Sequence, residues 1–300
     1  MARHIRFGGL ASIVVVEADD EIDALIDRPD LDRTYRVEGP PLNRLMISRL
    51  RRALFRDGSA LRSFAPRGDG DRASAQGAFA KRVDALAEQR PWAPEAIAVM
   101  AAYVANGTDR NAALAALAYA TAYPFLSPED TSYEPAKFRR LFGLFEILQV
   151  ARNPWKGLLP RLLGKDRHAA REILEMTGGD DYGLHAVGIT LANSVVILDH
   201  LRALFVEPQT AEARATPLEW NKVRTSAVAV TRQNNVPCRL PGIPDEVPAN
   251  SLILLKMRQA LRPSSPDGFE FAGKHWSYCP ASRYIEAIFD RVYDVAKNRA

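Results

Sequence analysis

The apolar positions of this chain first follow strand spacing and then helical spacing. Ile5 to Phe7 and Ser12 to Val16 are β-prone, and Gly8-Gly9 between them supplies a turn, so residues 5–16 predict a hairpin. Asp19 or Asp20 then stands where a helix cap belongs, ahead of Ile22, Leu25 and Ile26, and Pro29 limits that helix. Pro40-Pro41 opens a second helix. Its apolar stripe is Leu45, Ile47, Leu50 and Leu54, interleaved with Arg44, Arg49, Arg51 and Arg52. Residues 63–73 predict a loop. Helical spacing returns over 74–89, 94–106, 110–122 and 134–151, with Pro124, Pro128 and Pro154 as breaks. A short helix over 166–176 stops at Gly178-Gly179, and the longest apolar helix follows over 182–206. Residues 217–230 begin helical and turn extended, 236–250 are punctuated by prolines, and Leu252 to Leu255 predict a buried strand. The last helix, 281–297, carries Ile285, Ile288, Phe289, Val292 and Val295 on one face. The pattern predicts a mainly α fold with a small β portion and no internal repeat, and it is read as a single domain over 1–300.

Composition narrows this little. Of 300 residues, 47% are hydrophobic and 25% charged, enough for one large core or two modest ones. A net charge of +4 gives no case for a nucleic-acid partner; it suits a basic patch for an acidic protein or an acidic small molecule. Two cysteines are too few to staple a secreted domain. The run Ile13 to Val16 is too short for a signal peptide or a membrane anchor, so the expectation is a cytoplasmic protein without a membrane span. Neither a Walker loop nor a GxGxxG after a strand occurs.

The stretch that carries chemistry is 269–282, Phe-Glu-Phe-Ala-Gly-Lys-His-Trp-Ser-Tyr-Cys-Pro-Ala-Ser. Cys279 ends an aromatic, glycine-containing loop directly before an amphipathic helix, and Pro280 suits a first helical turn because its missing N–H costs nothing there. Amide donors and the positive end of the dipole at a helix start stabilise a thiolate, the form in which sulfur binds iron. Two other readings stay open. A lone cysteine often simply packs. His275 and Cys279 could also be half of a zinc site, for which Cys238 is the remaining thiol.

These residues resemble the heme-binding loop of cytochromes P-450, in which Phe and Gly precede the ligand cysteine and a small residue follows two positions later; here they are Phe271, Gly273 and Ala281. The resemblance runs upstream. Pro248-Ala-Asn-Ser-Leu-Ile-Leu-Leu is similar to the family's Pro-Ala-Gly-Ser segment and the strand after it. Thr231-Arg232, followed by Cys238-Arg-Leu-Pro-Gly, is similar to the segment whose arginine holds a heme propionate. Ala186-Val-Gly-Ile-Thr190-Leu-Ala-Asn193 resembles the central distal helix, and Arg49-Leu-Arg-Arg52 resembles the arginine-bearing helix against the heme. Ile13-Val-Val-Val-Glu and Asp20-Glu-Ile-Asp-Ala-Leu-Ile match the first sheet and helix. The resemblance implies a shortened, divergent heme-thiolate protein. Heme b would be ligated by Cys279, with Arg51 and Arg232 at the propionates, His275 a further loop contact and Thr190 in the distal pocket. The N-terminal hairpin and helix would span 5–35, the distal helix 182–206, and the ligand loop and helix 269–297.

Departures shape the expected activity. The family is usually about a third longer. Ser277 and His275 stand where a basic residue and a Gly are typical, and Phe271 is one position early. Glu219 and Arg224 are five apart, so they do not share a helix face as the family's Glu-x-x-Arg pair does. On the distal helix, Val187 replaces a Gly and Ile189 replaces the acid of the acid–alcohol pair that normally delivers protons. The resemblance therefore implies an oxidoreductase acting on a small apolar organic substrate, monooxygenase-like but peroxide-driven or otherwise non-standard. An acidic redox protein and a second copy of the chain are the macromolecular partners to consider. The alternative is a degenerate relative that binds a ligand or partner without oxygen activation. An unrelated magnesium-dependent helical enzyme would need carboxylate clusters, and Asp19-Asp20-Glu21 and Asp180-Asp181 read instead as helix caps.

Overall fold

The computed structural model describes residues 2–56, 59–62, 65–153, 156–206, 229–256 and 280–299. The chain divides into two compact units, residues 1–75 with 227–279, and residues 76–226 with 280–300.

In the first unit β1 (Arg3–Phe7) and β2 (Ala11–Val16) form the expected hairpin, closed by the Leu10 N–H donating to Phe7 O at 2.9 Å. β2 runs parallel to β7 (Leu252–Lys256); β7 pairs antiparallel with β6 (Ala229–Asn234), and β6 with β3 (Leu31–Asp32). The mixed sheet therefore has the order β1-β2-β7-β6-β3. Strand period two puts Val14 and Val16 on one face, where they are buried with Ile22, Leu25 and Ile26 of α1 (Asp19–Ile26) and with Ile253 and Leu255 of β7. Cys238 lies in the same core and packs there; burial pushes its thiol up from the ordinary range.

Three sequence expectations shift in this unit. Neither Asp19 nor Asp20 caps α1: the N-cap is Ala18, extended and without a side-chain bond, because the helix leaves β2 only two residues after the strand ends. In α2 (Pro41–Leu54), Leu45 is exposed and Ile47 is buried. The cause is Asn43, which is buried, donates to Ser12 O at 2.7 Å and accepts from Ser12 N–H at 3.2 Å. That clamp turns the face of Asn43 and Ile47, four apart, toward β2. α3 (Gly70–Gln89) starts inside the expected 63–73 loop, its first turn ordered by the Asp69 carboxylate accepting from Asp71 N–H at 3.2 Å. Short strands β4 (Phe55–Arg56) and β5 (Ser59–Ala60) lie between α2 and α3.

The second unit is helical. It holds α4 (Pro94–Asn106), α5 (Arg110–Ala122), α6 (Pro135–Arg152), α7 (Leu158–Leu162), α8 (Lys165–Met176), α9 (Asp181–His185), α10 (Leu191–Val206) and α11 (Ser282–Lys297). Residues Ala113 to Ala122 of α5 are all buried, as a helix without a polar face must be, and α5 packs between α4 and α6. Trp92 Nε1 donates to Tyr284 Oη at 2.7 Å, and that hydroxyl donates to Ala120 O at 2.7 Å, fastening α11 to α5. Asp180 is the cap expected before the long helix, accepting from Tyr182 N–H at 2.8 Å. Asp181–Val206 is long and apolar enough, by length and composition, to cross a membrane. About a third of its apolar stretch is buried; Ile197, Leu198 and Leu201 are among the helix's buried residues, and Asp199 pairs with Arg110 at 2.7 Å.

Candidate cofactor site

The first unit gathers cations in its interior. Arg232 of β6 is the largest fully buried side chain, and Arg33 and Arg72 are buried as well. Their convergence follows from the sheet. β3 pairs with the end of β6, and beyond β3 the chain stays beside β6: Gln233 accepts from Arg36 N–H at 2.6 Å and donates to Arg36 O at 2.9 Å, and Tyr35 Oη donates to Thr231 O at 3.0 Å. Arg33 is thereby carried next to Arg232, and Arg72 enters from the first turn of α3. Tyr35 adopts φ +45°, a left-handed conformation that a bulky residue keeps only when its surroundings over-determine it.

Burial dominates the electrostatics of this cluster. The Arg232 guanidinium is pushed down to about 9, by burial first and then by Arg33 and Arg72, with Tyr35 and Asp32 opposing. Burial also lowers Arg33, against Tyr35 and Asp32. The Asp32 carboxylate is engaged by backbone donors, Arg33 N–H at 2.6 Å and Arg67 N–H at 3.2 and 3.3 Å. Tyr35, raised by burial, stays a phenol and a donor. Guanidinium forks match carboxylates in pairs, so Arg33, Arg72 and Arg232 are suited to an anion with several oxygens.

The second unit presents a different feature. Between α9 and α10 the long helix widens into a π turn over Ala186–Thr190, with Leu191 N–H reaching back to Ala186 O. Such a turn inserts a residue into the helix and turns a carbonyl aside. Gly188 O accepts from Gln149 Nε2 at 2.9 Å and from Arg152 Nη1 at 2.5 Å, both from α6. Burial alone pushes Arg152 down to about 10. Thr190, half-buried, is the last residue of this turn.

The anticipated residues fall out as follows. Arg232 lies in the buried cluster. Arg51 is half-buried one layer away, donating from Nη1 to Tyr35 O at 3.2 Å, where it holds the backbone of the Tyr35 segment. Thr190 belongs to the π turn of the second unit. Cys279 and His275 lie outside the described residues, as do Phe271, Gly273, Glu219 and Arg224. Ala281 is the N-cap of α11. Sequence reasoning missed Arg33, Arg72 and Arg152. Arg33 had one local signal, a cation directly after a short apolar strand; Arg72 was placed in a loop, and nothing in the sequence around Arg152 marks it. Among the described residues no group of three or more His, Cys, Asp or Glu could hold a metal ion.

No family model matches the chain, and no curated protein matches it. Solved structures do. Cytochrome P450SP alpha (CYP152B1) in complex with (R)-ibuprophen aligns with 99% of this chain and 85% of its own, at TM-score 0.59 and 13% identity. Cytochrome P450EX alpha (CYP152N1) with myristic acid aligns with 95% of this chain and 80% of its own, at 0.53 and 13%. Mycobacterium marinum cytochrome P450 CYP150A6 in the substrate-free form aligns with 97% and 82%, at 0.55 and 13%. The likeness establishes the fold: this chain is mainly helical with a small mixed sheet, in the cytochrome P450 arrangement.

The structures named above are cytochromes P450, so a heme is the group to test here. Arg33, Arg72 and Arg232 are buried donors of the first unit whose guanidiniums match carboxylates such as its propionates.

Proposed function

We propose that this chain is a heme-thiolate oxidoreductase acting on a small or medium apolar organic molecule. The observation that carries this reading is the buried arginine cluster of the first unit. Guanidiniums bind carboxylates bidentately, and the propionates of a heme are carboxylates that such a buried cluster could receive. Arg232, Arg33 and Arg72 would hold the propionates, and Arg51 would position Tyr35 beside them. Cys279 is the proposed iron ligand. Heme bound in this way supplies an oxidising iron whose reactivity is raised by electron density from the thiolate.

The distal residues favour non-standard chemistry. Ile189 cannot carry a proton, and the Gly188 carbonyl beside it is held by Arg152 and Gln149. Thr190 is then the remaining alcohol of the π turn, and a peroxide is the oxidant this arrangement suits best. Arg152 adds a substrate preference. It is half-buried, donates to Gly188 O at 2.5 Å, and carries a guanidinium of the kind that binds a substrate carboxylate. Ibuprophen and myristic acid, bound in two of the structural neighbours, are carboxylic acids. The second reading, a P450-like binder without oxygen activation, is favoured by Ile189 and by the displaced Glu219 and Arg224.

The test is absorption spectroscopy of protein produced with ample heme, oxidised and then reduced under carbon monoxide, alongside Cys279→Ala and Arg232→Gln. A red-shifted thiolate-type carbonyl band, lost in Cys279→Ala and weakened in occupancy by Arg232→Gln, supports the reading; no Soret band in any of the three rejects it. Heme binding without turnover of fatty acids under peroxide would favour the non-catalytic alternative.

A further inference from the structure

The hinge between α6 and α8 displays apolar surface in an unusual way. Leu158, Leu159, Leu162 and Leu163 are 56%, 64%, 75% and 60% exposed. Leu158 pairs with Leu162, and Leu159 with Leu163, at the i,i+4 spacing that shares a helix face, so the four side chains form one outward patch. Isolated exposed leucines need no explanation, but a contiguous patch of four does.

The projection is built rather than frayed. Gly157, just before α7, has no room for a Cβ, which would run into the carbonyl oxygens of Val150, Ala151 and Asn153. Its N–H donates to Asn153 O at 2.9 Å. After α7, Gly164 at φ +65° reverses the chain into α8. Two glycines thus turn the backbone out and back, and the leucines occupy the tip.

Charge surrounds the tip asymmetrically. Lys156, Arg161, Lys165 and Arg167 flank the leucines, and Asp166 is the one acid between residues 156 and 167. Lys156, Lys165 and Arg167 are exposed. A stable protein interface takes about 20–30 residues a side, whereas this patch is four leucines within residues 158–163. A short leucine tip ringed by cations matches the apolar boundary and the anionic headgroups of a lipid surface.

We propose that α7 and its flanking cations dock this chain peripherally on an anionic lipid surface, with the four leucines inserted below the headgroups. The attachment differs from a membrane span, and it does not depend on heme.

The experiment is co-sedimentation of the full chain with vesicles of phosphatidylcholine alone and of phosphatidylcholine mixed with phosphatidylglycerol, at low and high salt. The doubly substituted Leu159→Glu, Leu162→Glu and Lys165→Gln, Arg167→Gln chains are measured beside it. All four positions are exposed, so circular dichroism and melting temperature should stay unchanged, which checks the fold independently. The expected result is binding to the anionic vesicles that salt weakens, that falls at least about tenfold in the leucine variant, and that falls toward the phosphatidylcholine value in the cation variant. Wild-type protein remaining in the supernatant overturns the proposal, as does binding indifferent to the leucine substitutions. A wild-type dimer that the leucine substitutions convert to monomer, without vesicle binding, would assign the patch to a second copy instead. Heme content read on the same samples keeps this outcome separate from that of the proposed activity.

Discussion

At the scale of single residues, the informative side chains are arginines in the wrong solvent. Arg232 is fully buried and its cationic form is disfavoured, first by burial and then by Arg33 and Arg72. Exchanging a whole buried ion pair for apolar side chains is often neutral or stabilising, whereas removing one partner alone costs about 3–5 kcal/mol. Arg232 has partners to lose, among them Thr231 O, to which its Nη1 donates at 3.2 Å. Arg232→Met should therefore lower the melting temperature of the heme-free protein and also weaken heme retention. A thermal melt of apo protein checks this; a rise would mean that the burial cost of the charge outweighs its bonds. Arg232 was legible in the sequence because the motif around it is local: a strand, then a proline-rich return. Arg33 and Arg72 were not, since only the pairing of β3 with β6 and the early start of α3 bring them to Arg232. Arg51, also singled out from the sequence, donates from Nη1 to the Tyr35 carbonyl, a partner that only the fold brings to it.

At the scale of elements, the long helix over 181–206 concentrates the specific geometry. Its entry is fixed by contact: a Cβ on Gly183 would lie 2.6 Å from Thr177 Cβ and 3.3 Å from Phe125 Cγ. Gly183→Ala must push α9 away from α8 and should cost about 1–3 kcal/mol, read as a lower urea midpoint with unchanged slope. Further along, Asp199 accepts from Tyr103 Oη at 2.8 Å and from Arg110 at 2.7 and 3.1 Å. Burial pushes that carboxyl up, but these bonds outweigh it and hold Asp199 below the usual carboxylate range. A depressed folded value means stability that is present above the unfolded value and lost as pH falls through the folded one. Asp199→Asn should thus lower the melting temperature modestly at neutral pH, by no more than about 1 kcal/mol for so exposed a pair, and the difference should close below about pH 4. The helix itself was plain from its apolar run; its π turn was not, because helical periodicity does not register one inserted residue.

At the scale of the whole molecule, ligand linkage offers the broadest check. Hemin that binds the proposed site should stabilise the folded chain by about 2.7 kcal/mol at roughly 100-fold excess over its Kd. The gain should shrink in Arg232→Met and in Cys279→Ala, as measured by thermal melts with and without hemin; equal gains in all three would remove these residues from the site. The sequence by itself determined the element order, since strand and helix periods and the prolines and glycines between them are local properties: the hairpin, the long apolar helix, the buried strand Leu252 to Leu255 and the last helix all stand where their patterns put them. It also pointed to the P450-like fold, which structural neighbours at 13% identity share. What only the tertiary structure decided is which distant groups share an interior. Residues 33, 72 and 232 carry no mutual signal along the chain, and neither do Arg152 and Gly188. Their meeting depends on strand pairing and helix packing, where the energy lies in contacts between segments and not within any one of them.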